Sequence, residues 1–307
     1  MILDKARHCA VPALLGALIF AAGCAPAQRA TGPKDSHALT VIASISTLAS
    51  LVEAVGGDRV LVYSLVPVGA SPETYEPSPQ DMVKLSAAQV LFLNGAGLEI
   101  WLAKILKGAA GEHVTRVELS AGLPVAGRTP DGLGGNPHLW MDPVYAQAYV
   151  RKINAALTAA DPKGAPYYAR NARAEMARLR QLDAWVRKQI STIPPQKRSM
   201  ITFHDAWLYF DRRYGLRDVG VIELSPGQEP SASYLAKLIA TAKENHVNAV
   251  FAEPQFSPKL ANELATSAGI RTVTDLYDDT LGTTPELSSY DGMLRYDVAQ
   301  IVKALST

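Results

Sequence analysis

The chain is poor in cysteine and has almost no excess of charge of either sign. It holds 2 Cys among 307 residues. Cys9 lies in an N-terminal segment that we expect to be removed, which would leave one thiol and no internal disulfide. Lys and Arg number 30 against 29 Asp and Glu, a formal net charge of +1. Because proteins that bind nucleic acid carry a basic excess, we predict no nucleic-acid partner.

The composition excludes several fibrous and disordered classes. With 48% hydrophobic residues, 22 Gly and 20 Pro, the chain fits neither a collagen, a coiled coil nor a fully disordered protein. No internal repeat is visible, and a chain of this length can form one large domain or two lobes, each with its own core.

The first residues have the pattern of an export signal. The apolar stretch 9–22 is shorter than the ~20 residues of a membrane-spanning helix, but it suits the apolar region of a signal peptide. It ends in Ala21-Ala22-Gly23-Cys24, which resembles a bacterial lipobox with Ala21 where Leu is favoured. We therefore predict a lipoprotein signal peptide over 1–23, lipidation of Cys24 and a flexible tether over 24–38; the alternative is an ordinary signal peptide with an incidental Cys.

The remainder alternates short β-branched runs with amphipathic segments. Strands are predicted in two sets: Leu39–Ile45, Val60–Val66, Val90–Leu93 and Thr115–Leu119, then Ser199–Phe203, Val219–Glu223, Val247–Phe251 and Arg271–Asp275. Helices are predicted at Gln80–Ala88, Leu98–Lys107, Ala232–Asn245 and Pro258–Ala268. Two sets of βα units predict an α/β fold with two parallel-sheet lobes.

The longest helical pattern, Pro166–Ile193, separates the two sets of strands. It opens with a proline and is followed by Pro194-Pro195. We predict an N-terminal lobe over 39–165, one linking backbone helix over 166–194 and a C-terminal lobe over 195–307, with the helix as a rigid brace between the lobes.

Four side chains could form a metal site at the loops of these units. His204 directly follows a predicted strand, and His138 lies in the loop before the helix that starts near Val144. Glu73 and Asp279 follow strands in the same way, although Asp278 competes with Asp279. Each residue alone could equally be a cap, a core residue or a solvated loop residue. Together, two imidazoles and two carboxylates suit a divalent transition metal.

At the level of motifs, the chain resembles the cluster A-I solute-binding proteins, the zinc and manganese receptors of bacterial metal ABC transporters. The motif N-P-H-x-W-x-D-P is intact at 136–143 and contains His138, and a strand ending in His204 precedes an aromatic-rich helix. The segments 225–231 and 276–282 match further family motifs, the second of which favours Asp279. In the first motif, Ser71 and Glu73 replace the family's Asp and His ligand.

The resemblance implies a receptor rather than an enzyme. It would capture Zn²⁺ or Mn²⁺ as cargo between two lobes, act as a monomer held to the membrane by its N-terminal lipid, and deliver the ion to an ABC permease and its ATPase. If Glu73 does not reach the ion, three protein ligands and water would remain. The stretch 121–135 lacks the His-rich loop of many zinc-specific members. Since capture needs neutral imidazoles, affinity should fall below about pH 6.5.

Two other functions use the same residues. An exported metal-dependent hydrolase could take Glu76 or Glu229 as its base, although neither a His-Glu-x-x-His motif nor a Gly-x-Ser-x-Gly elbow is present. An adhesin or structural lipoprotein could use the metal only to stabilise its fold.

Overall fold

The computed structural model of the protein describes residues 38–102, 106, 113–127, 134–224 and 227–306. The predicted signal peptide, Cys24 and nearly all of the predicted tether lie outside the described residues. Within them, two four-stranded parallel sheets carry helices on their faces, which confirms the predicted α/β fold with two lobes.

The first lobe contains one sheet with strand order β2-β1-β3-β4. Its elements are β1 (Leu39–Ala43), α1 (Ser46–Gly56), β2 (Val60–Ser64), α2 (Pro79–Ala87), β3 (Val90–Leu93), β4 (Thr115–Glu118) and α3 (Pro143–Ala160). β1 pairs with β2 in the register Leu39 to Val60, and β3 pairs with β4 in the register Val90 to Thr115.

A long helix, α4 (Ala165–Ile190), follows the first lobe, and the second sheet has the order β6-β5-β7-β8. The second lobe comprises β5 (Ser199–Thr202), α5 (Leu208–Tyr214), β6 (Arg217–Val221), α6 (Ala232–Glu244), β7 (Ala249–Phe251), α7 (Lys259–Ala268), β8 (Arg271–Val273) and α8 (Tyr290–Ser306). Both sheets are built in the same way. The second strand in the chain lies on one side of the first, and the third and fourth strands are added on the other side.

Local sequence explains where several of these elements begin and end. Ser78 and Asp81 form a reciprocal capping box at the start of α2, with Pro79 in its first turn. Asp142 caps α3 by accepting a hydrogen bond from the Val144 amide at 2.8 Å. The predicted helix Leu98–Lys107 is wrong over its described part, which forms a 3₁₀ turn at Ile100–Leu102 and no α-helix, while residues 103–105 and 107 lie outside the described residues.

Helix α4 packs against α1 and α3 of the first lobe and against α5 and α8 of the second. Its 26 residues span about 39 Å at the usual rise per residue. The predicted apolar stripe is buried at Leu179, Leu182, Val186 and Ile190, while Met176 is half-buried. No helix among the described residues has the length and apolarity needed to cross a membrane.

One hydrophobic core crosses both lobes through α4. It joins residues such as Leu48 and Trp140 of the first lobe to Trp207 and Tyr290 of the second. A second core, with Ile201 and Leu264, lies between the second sheet and helices α6 and α7. The inner face of the second lobe is therefore packed together with the first lobe, whereas its outer layer has a core of its own.

Candidate metal centre

All four predicted ligands meet in one place. His138 Nε2 lies 3.2 Å from His204 Nε2 and 3.3 Å from Asp279 Oδ1. His204 Nε2 lies 3.6 Å from Asp279 Oδ2, and Glu73 Oε1 lies 3.9 Å from His138 Nε2. Glu73, His138 and His204 also line a cavity of about 340 Å³. The structure thus brings together residues that are up to 206 positions apart in the chain.

The topology explains this convergence. Glu73 follows β2, His204 follows β5 and Asp279 follows β8, while His138 lies in the long connection after β4. In parallel sheets, ligands bind beyond the carboxyl ends of the strands, where the strand order reverses. Here the corresponding edges of the two sheets supply side chains to the same cavity.

His138 is oriented by a neutral amide. Its Nδ1 lies 3.1 Å from Asn136 Oδ1, and its backbone N–H donates to the same oxygen at 3.1 Å. Since an amide oxygen only accepts, Nδ1 carries the proton and Nε2 presents its lone pair to the cavity. Asn136 Nδ2 in turn donates to the Asp205 carbonyl at 2.7 Å, which links this loop to the second lobe.

His204 is oriented by a carboxylate that we did not predict from the sequence. Its Nδ1 lies 2.7 Å from Glu253 Oε1, and both residues are buried. Glu253 is two residues beyond the end of β7, the strand beside β5 in the sheet. A carboxylate directly after a buried strand was the available signal, but the strand order that brings it to His204 is not visible in the sequence.

Asp279 and its neighbour Asp278 have different environments. Asp278 Oδ1 accepts from the Asp279 amide at 2.7 Å, and its Oδ2 accepts from Trp207 Nε1 at 3.2 Å. Within the described residues, both oxygens of Asp279 are buried and have no hydrogen-bond donor apart from the nearby imidazoles. Glu73 Oε2 is likewise buried without a partner there. Buried polar atoms without partners are unfavourable, so these oxygens are suited to a ligand.

The loop that carries Asp279 is attached to the first lobe. Trp140 Nε1 donates to the Asp278 carbonyl at 2.8 Å. The Gly69 amide donates to Thr280 Oγ1 at 2.8 Å, and the Leu281 amide donates to Ser46 Oγ at 2.9 Å. Asp279 therefore belongs to the second lobe by sequence but is positioned by groups of the first.

The charges in the site influence one another. Burial alone would lower the pKa of His204, but the carboxylates of Glu253, Asp279 and Asp278 raise this pKa well above its ordinary value. Burial tends to raise the pKa of Asp279, yet the two imidazoles hold it below its usual range. Burial raises the pKa of Glu73 against the opposing effect of the imidazoles. The raised pKa means that His204 retains its second proton to higher pH than a free imidazole does, and a divalent cation at Nε2 would compete with that proton.

The other candidate residues lie elsewhere. His113 and His246 are exposed, and His246 has a positive φ of 51° at the end of α6. His37 is outside the described residues. Glu76 and Glu229, the bases considered for a hydrolase, are exposed and do not line the cavity. The site therefore contains two of the described histidines, and Asp205 and Glu223 are further carboxylates at the cavity wall.

Several known proteins are similar to this chain in sequence and in fold. The family described as zinc-uptake complex component A, periplasmic, matches residues 41–304. The manganese-binding lipoprotein MntA of Halalkalibacterium halodurans is 31% identical over 290 residues, covering 94% of this chain and 95% of the relative. MntA of Bacillus subtilis is 32% identical and covers 95% and 98%. A crystal structure of ZnuA superposes with a TM-score of 0.78 at 32% identity, covering 88% of this chain and all of that one.

Proposed function

Because the chain belongs to the family of periplasmic zinc-uptake complex component A, we propose that it is the substrate-binding protein of a metal ABC importer. Its cargo is Zn²⁺ or Mn²⁺, which it captures between the two lobes and delivers to a permease driven by an ATPase. It is a receptor and not an enzyme.

The observation that carries this proposal is the convergence of His138, His204, Asp279 and Glu73 on one buried point. We propose that these four residues are the metal ligands. Two imidazole nitrogens and two carboxylates provide four donors, and the oxygens of Asp279 and one oxygen of Glu73 have no other hydrogen-bond donor among the described residues than the imidazoles. Their two negative charges match a divalent ion, although the chain as a whole is nearly neutral.

The donor set bears on the choice of metal. Two carboxylates beside two imidazoles form a harder site than three imidazoles and favour Mn²⁺ in relative terms. The Irving-Williams order nevertheless makes Zn²⁺ bind more tightly to most sites of nitrogen and oxygen. We therefore expect both ions to bind, with Zn²⁺ as the stronger competitor in solution.

Metal analysis of the purified chain and competitive titration with Zn²⁺ and Mn²⁺ test the proposal. We expect one ion per chain and displacement of Mn²⁺ by Zn²⁺. Absence of stoichiometric binding of either ion would refute the receptor function. Deleting the gene should impair growth when metal is limiting, and added metal should restore it; growth without such a defect would favour the adhesin alternative. A metal-dependent hydrolase receives no support from the family or from the exposed Glu76 and Glu229.

The attachment of the protein to the membrane is a separate proposal. Relatives such as MntA are named lipoproteins, and the lipobox-like segment ends at Cys24. We propose that residues 1–23 are removed, that Cys24 carries the lipid, and that the monomeric protein works outside the cytoplasmic membrane. Labelling with radioactive palmitate should mark the chain and not the Cys24→Ala variant. Labelling of both would refute this site, and size-exclusion chromatography with light scattering tests the monomer.

The division of the chain is also proposed. The lobes 39–165 and 195–307 each contain one sheet, and helix α4 lies between them. Limited proteolysis is expected to spare α4 and to cut the exposed loops instead. Early cleavage within α4 would contradict its role as a brace.

A further inference from the structure

We propose that Glu253 is a positioning residue of this site, which holds His204 in the one tautomer that can bind the metal through Nε2. The inference rests on the proposed function and extends it to a residue that does not itself contact the ion.

The geometry of the pair assigns the proton. His204 Nδ1 lies 2.7 Å from Glu253 Oε1, and the two residues are only 4% and 3% exposed. An ionised carboxylate only accepts hydrogen bonds, so Nδ1 carries a hydrogen and Nε2 is directed toward His138 and Asp279. In the opposite tautomer, Nε2 would carry a hydrogen, and a metal could not bind there.

Glu253 is itself held in place. Its Oε2 accepts from Gln255 Nε2 at 2.5 Å, and its backbone carbonyl accepts from the Phe256 amide at 3.2 Å. The Phe256 ring stacks on Phe203 with centroids 4.5 Å apart and packs edge-on to His204 at 6.2 Å. The carboxylate therefore has a donor for each oxygen and little freedom to turn away from the imidazole.

The fold makes this pair a property of the second sheet. His204 and Glu253 each lie two residues after the ends of β5 and β7, which are neighbours where the strand order reverses. A carboxylate behind a ligating imidazole fixes the orientation of the ring and makes it a stronger donor. The Nδ1 of His138 is hydrogen-bonded instead to the neutral Asn136. We therefore expect metal affinity to depend more on Glu253, which supports His204, than on Asn136, which supports His138.

The test compares E253Q with the double variant E253Q/Q255E. In E253Q, one amide oxygen must serve both the His204 Nδ1–H and the Gln255 amide, so one of these hydrogen bonds is lost. If the new amide nitrogen faces the ring, it forces the wrong tautomer. In the double variant, the amide at position 253 can donate to the carboxylate introduced at position 255 and direct its oxygen to His204. The second variant thus keeps the formal charge of the wild type and restores both hydrogen bonds.

Two measurements on the purified full chain distinguish the outcomes. Competitive titration should show Zn²⁺ and Mn²⁺ affinity reduced about 10- to 100-fold in E253Q, the range typical for partners of ligating histidines, and mostly recovered in the double variant. Nitrogen-15 NMR of the Zn²⁺-bound wild type should show His204 protonated at Nδ1, with its hydrogen-bonded proton shifted far downfield. That proton signal should be lost or altered in E253Q.

The result that would overturn the inference is equally specific. Wild-type affinity in E253Q with an unchanged His204 signal would remove Glu253 from the site. Loss of affinity in both variants alike, with the same Nδ1 signal, would indicate a purely structural effect and would overturn the inference. Thermal unfolding of the metal-free variants shows whether a loss reflects misfolding; if E253Q does not fold, the double variant against Q255E alone provides the comparison. Failure of the wild type to bind metal would refute the proposed function instead.

Discussion

The two lobes have the same strand order but contribute differently to the proposed metal site. The first lobe supplies Glu73, which has 16% of its side chain exposed, and His138, which is supported by the neutral Asn136. The second supplies His204 and Asp279, both buried and surrounded by the carboxylates of Glu253 and Asp278. The second lobe thus places more acidic side chains around the site, while the first presents the more accessible carboxylate, Glu73, at the cavity. This contrast indicates that affinity depends mainly on the second lobe.

The largest expected effect is the loss of a second-lobe ligand. His204→Ala should weaken Zn²⁺ and Mn²⁺ binding by more than about 100-fold, the upper end of the range for losing a residue that supports a ligand. The effect is larger because this substitution removes a proposed ligand of the ion itself, and Asp279 loses a neighbouring imidazole. Competition titration measures this, and His246→Ala, an exposed histidine, is the matched control. Affinity of His204→Ala equal to that of the control would remove His204 from the site.

The pH dependence of binding should also reflect the second lobe. Because its carboxylates raise the pKa of His204 well above about 6.5, metal must displace a proton even at neutral pH. Affinity should therefore fall about tenfold per pH unit on acidification through the neutral range, and recover at alkaline pH where the ring is already neutral. The decrease in metal affinity should therefore occur at a higher pH than it would if His204 titrated like a free imidazole. Isothermal titration in buffers of different ionisation enthalpy should detect a released proton; its absence at pH 7 would contradict this.

Loss of the first-lobe carboxylate should have a smaller effect. Glu73→Gln removes one negative charge from a partly exposed position, so we expect a decrease in affinity of about tenfold, equivalent to about 1.4 kcal/mol. Glu76→Gln, which changes an exposed carboxylate three residues away, is the control. A decrease as large as that of His204→Ala would show that the lobes contribute equally. A metal-bound crystal structure with Glu73 oxygens beyond about 3 Å of the ion would exclude direct ligation.

The support of His138 should matter less than that of His204. Asn136→Ala removes a neutral acceptor from Nδ1, so the affinity should decrease by less than in E253Q, about three- to tenfold, below the range typical of carboxylate supports. The comparison uses the same competition titration. A larger loss in Asn136→Ala would reverse the proposed order of the two lobes.

The smallest expected effect concerns the shape of the molecule. Helix α4 packs on both lobes, and the loop carrying Asp279 is hydrogen-bonded to Ser46 and Gly69 of the first. These contacts oppose a wide opening between the lobes, so small-angle scattering should give the same radius of gyration with and without metal. A clear compaction on metal addition would mean that the lobes move as separate bodies.

The sequence alone was sufficient for the class of fold and for the four side chains that the structure brings together, Glu73, His138, His204 and Asp279. β-branched runs predicted strands such as Val90–Leu93 with the bounds observed, because a buried parallel strand needs apolar residues on both faces. The motif around His138 and the strand before His204 identified both histidines. The segment Leu98–Lys107 was predicted wrongly over its described part: Gly95 and Gly97 adopt positive φ just before it, and only a 3₁₀ turn follows.

Only the tertiary structure decided which groups support the ligands. His204 and Glu253 are 49 residues apart, and they meet because β7 pairs with β5 and not with β6, the strand that precedes it in the chain. Asp278 and Asp279 are adjacent and chemically identical. The indole of Trp207 donates a hydrogen bond to Asp278, whereas Asp279 faces the imidazoles. These differences between neighbouring residues arise from contacts between segments that are distant in the sequence. Such contacts form, and contribute free energy, only in the folded chain. Local sequence can therefore predict which side chains converge, but not the hydrogen bonds that orient them.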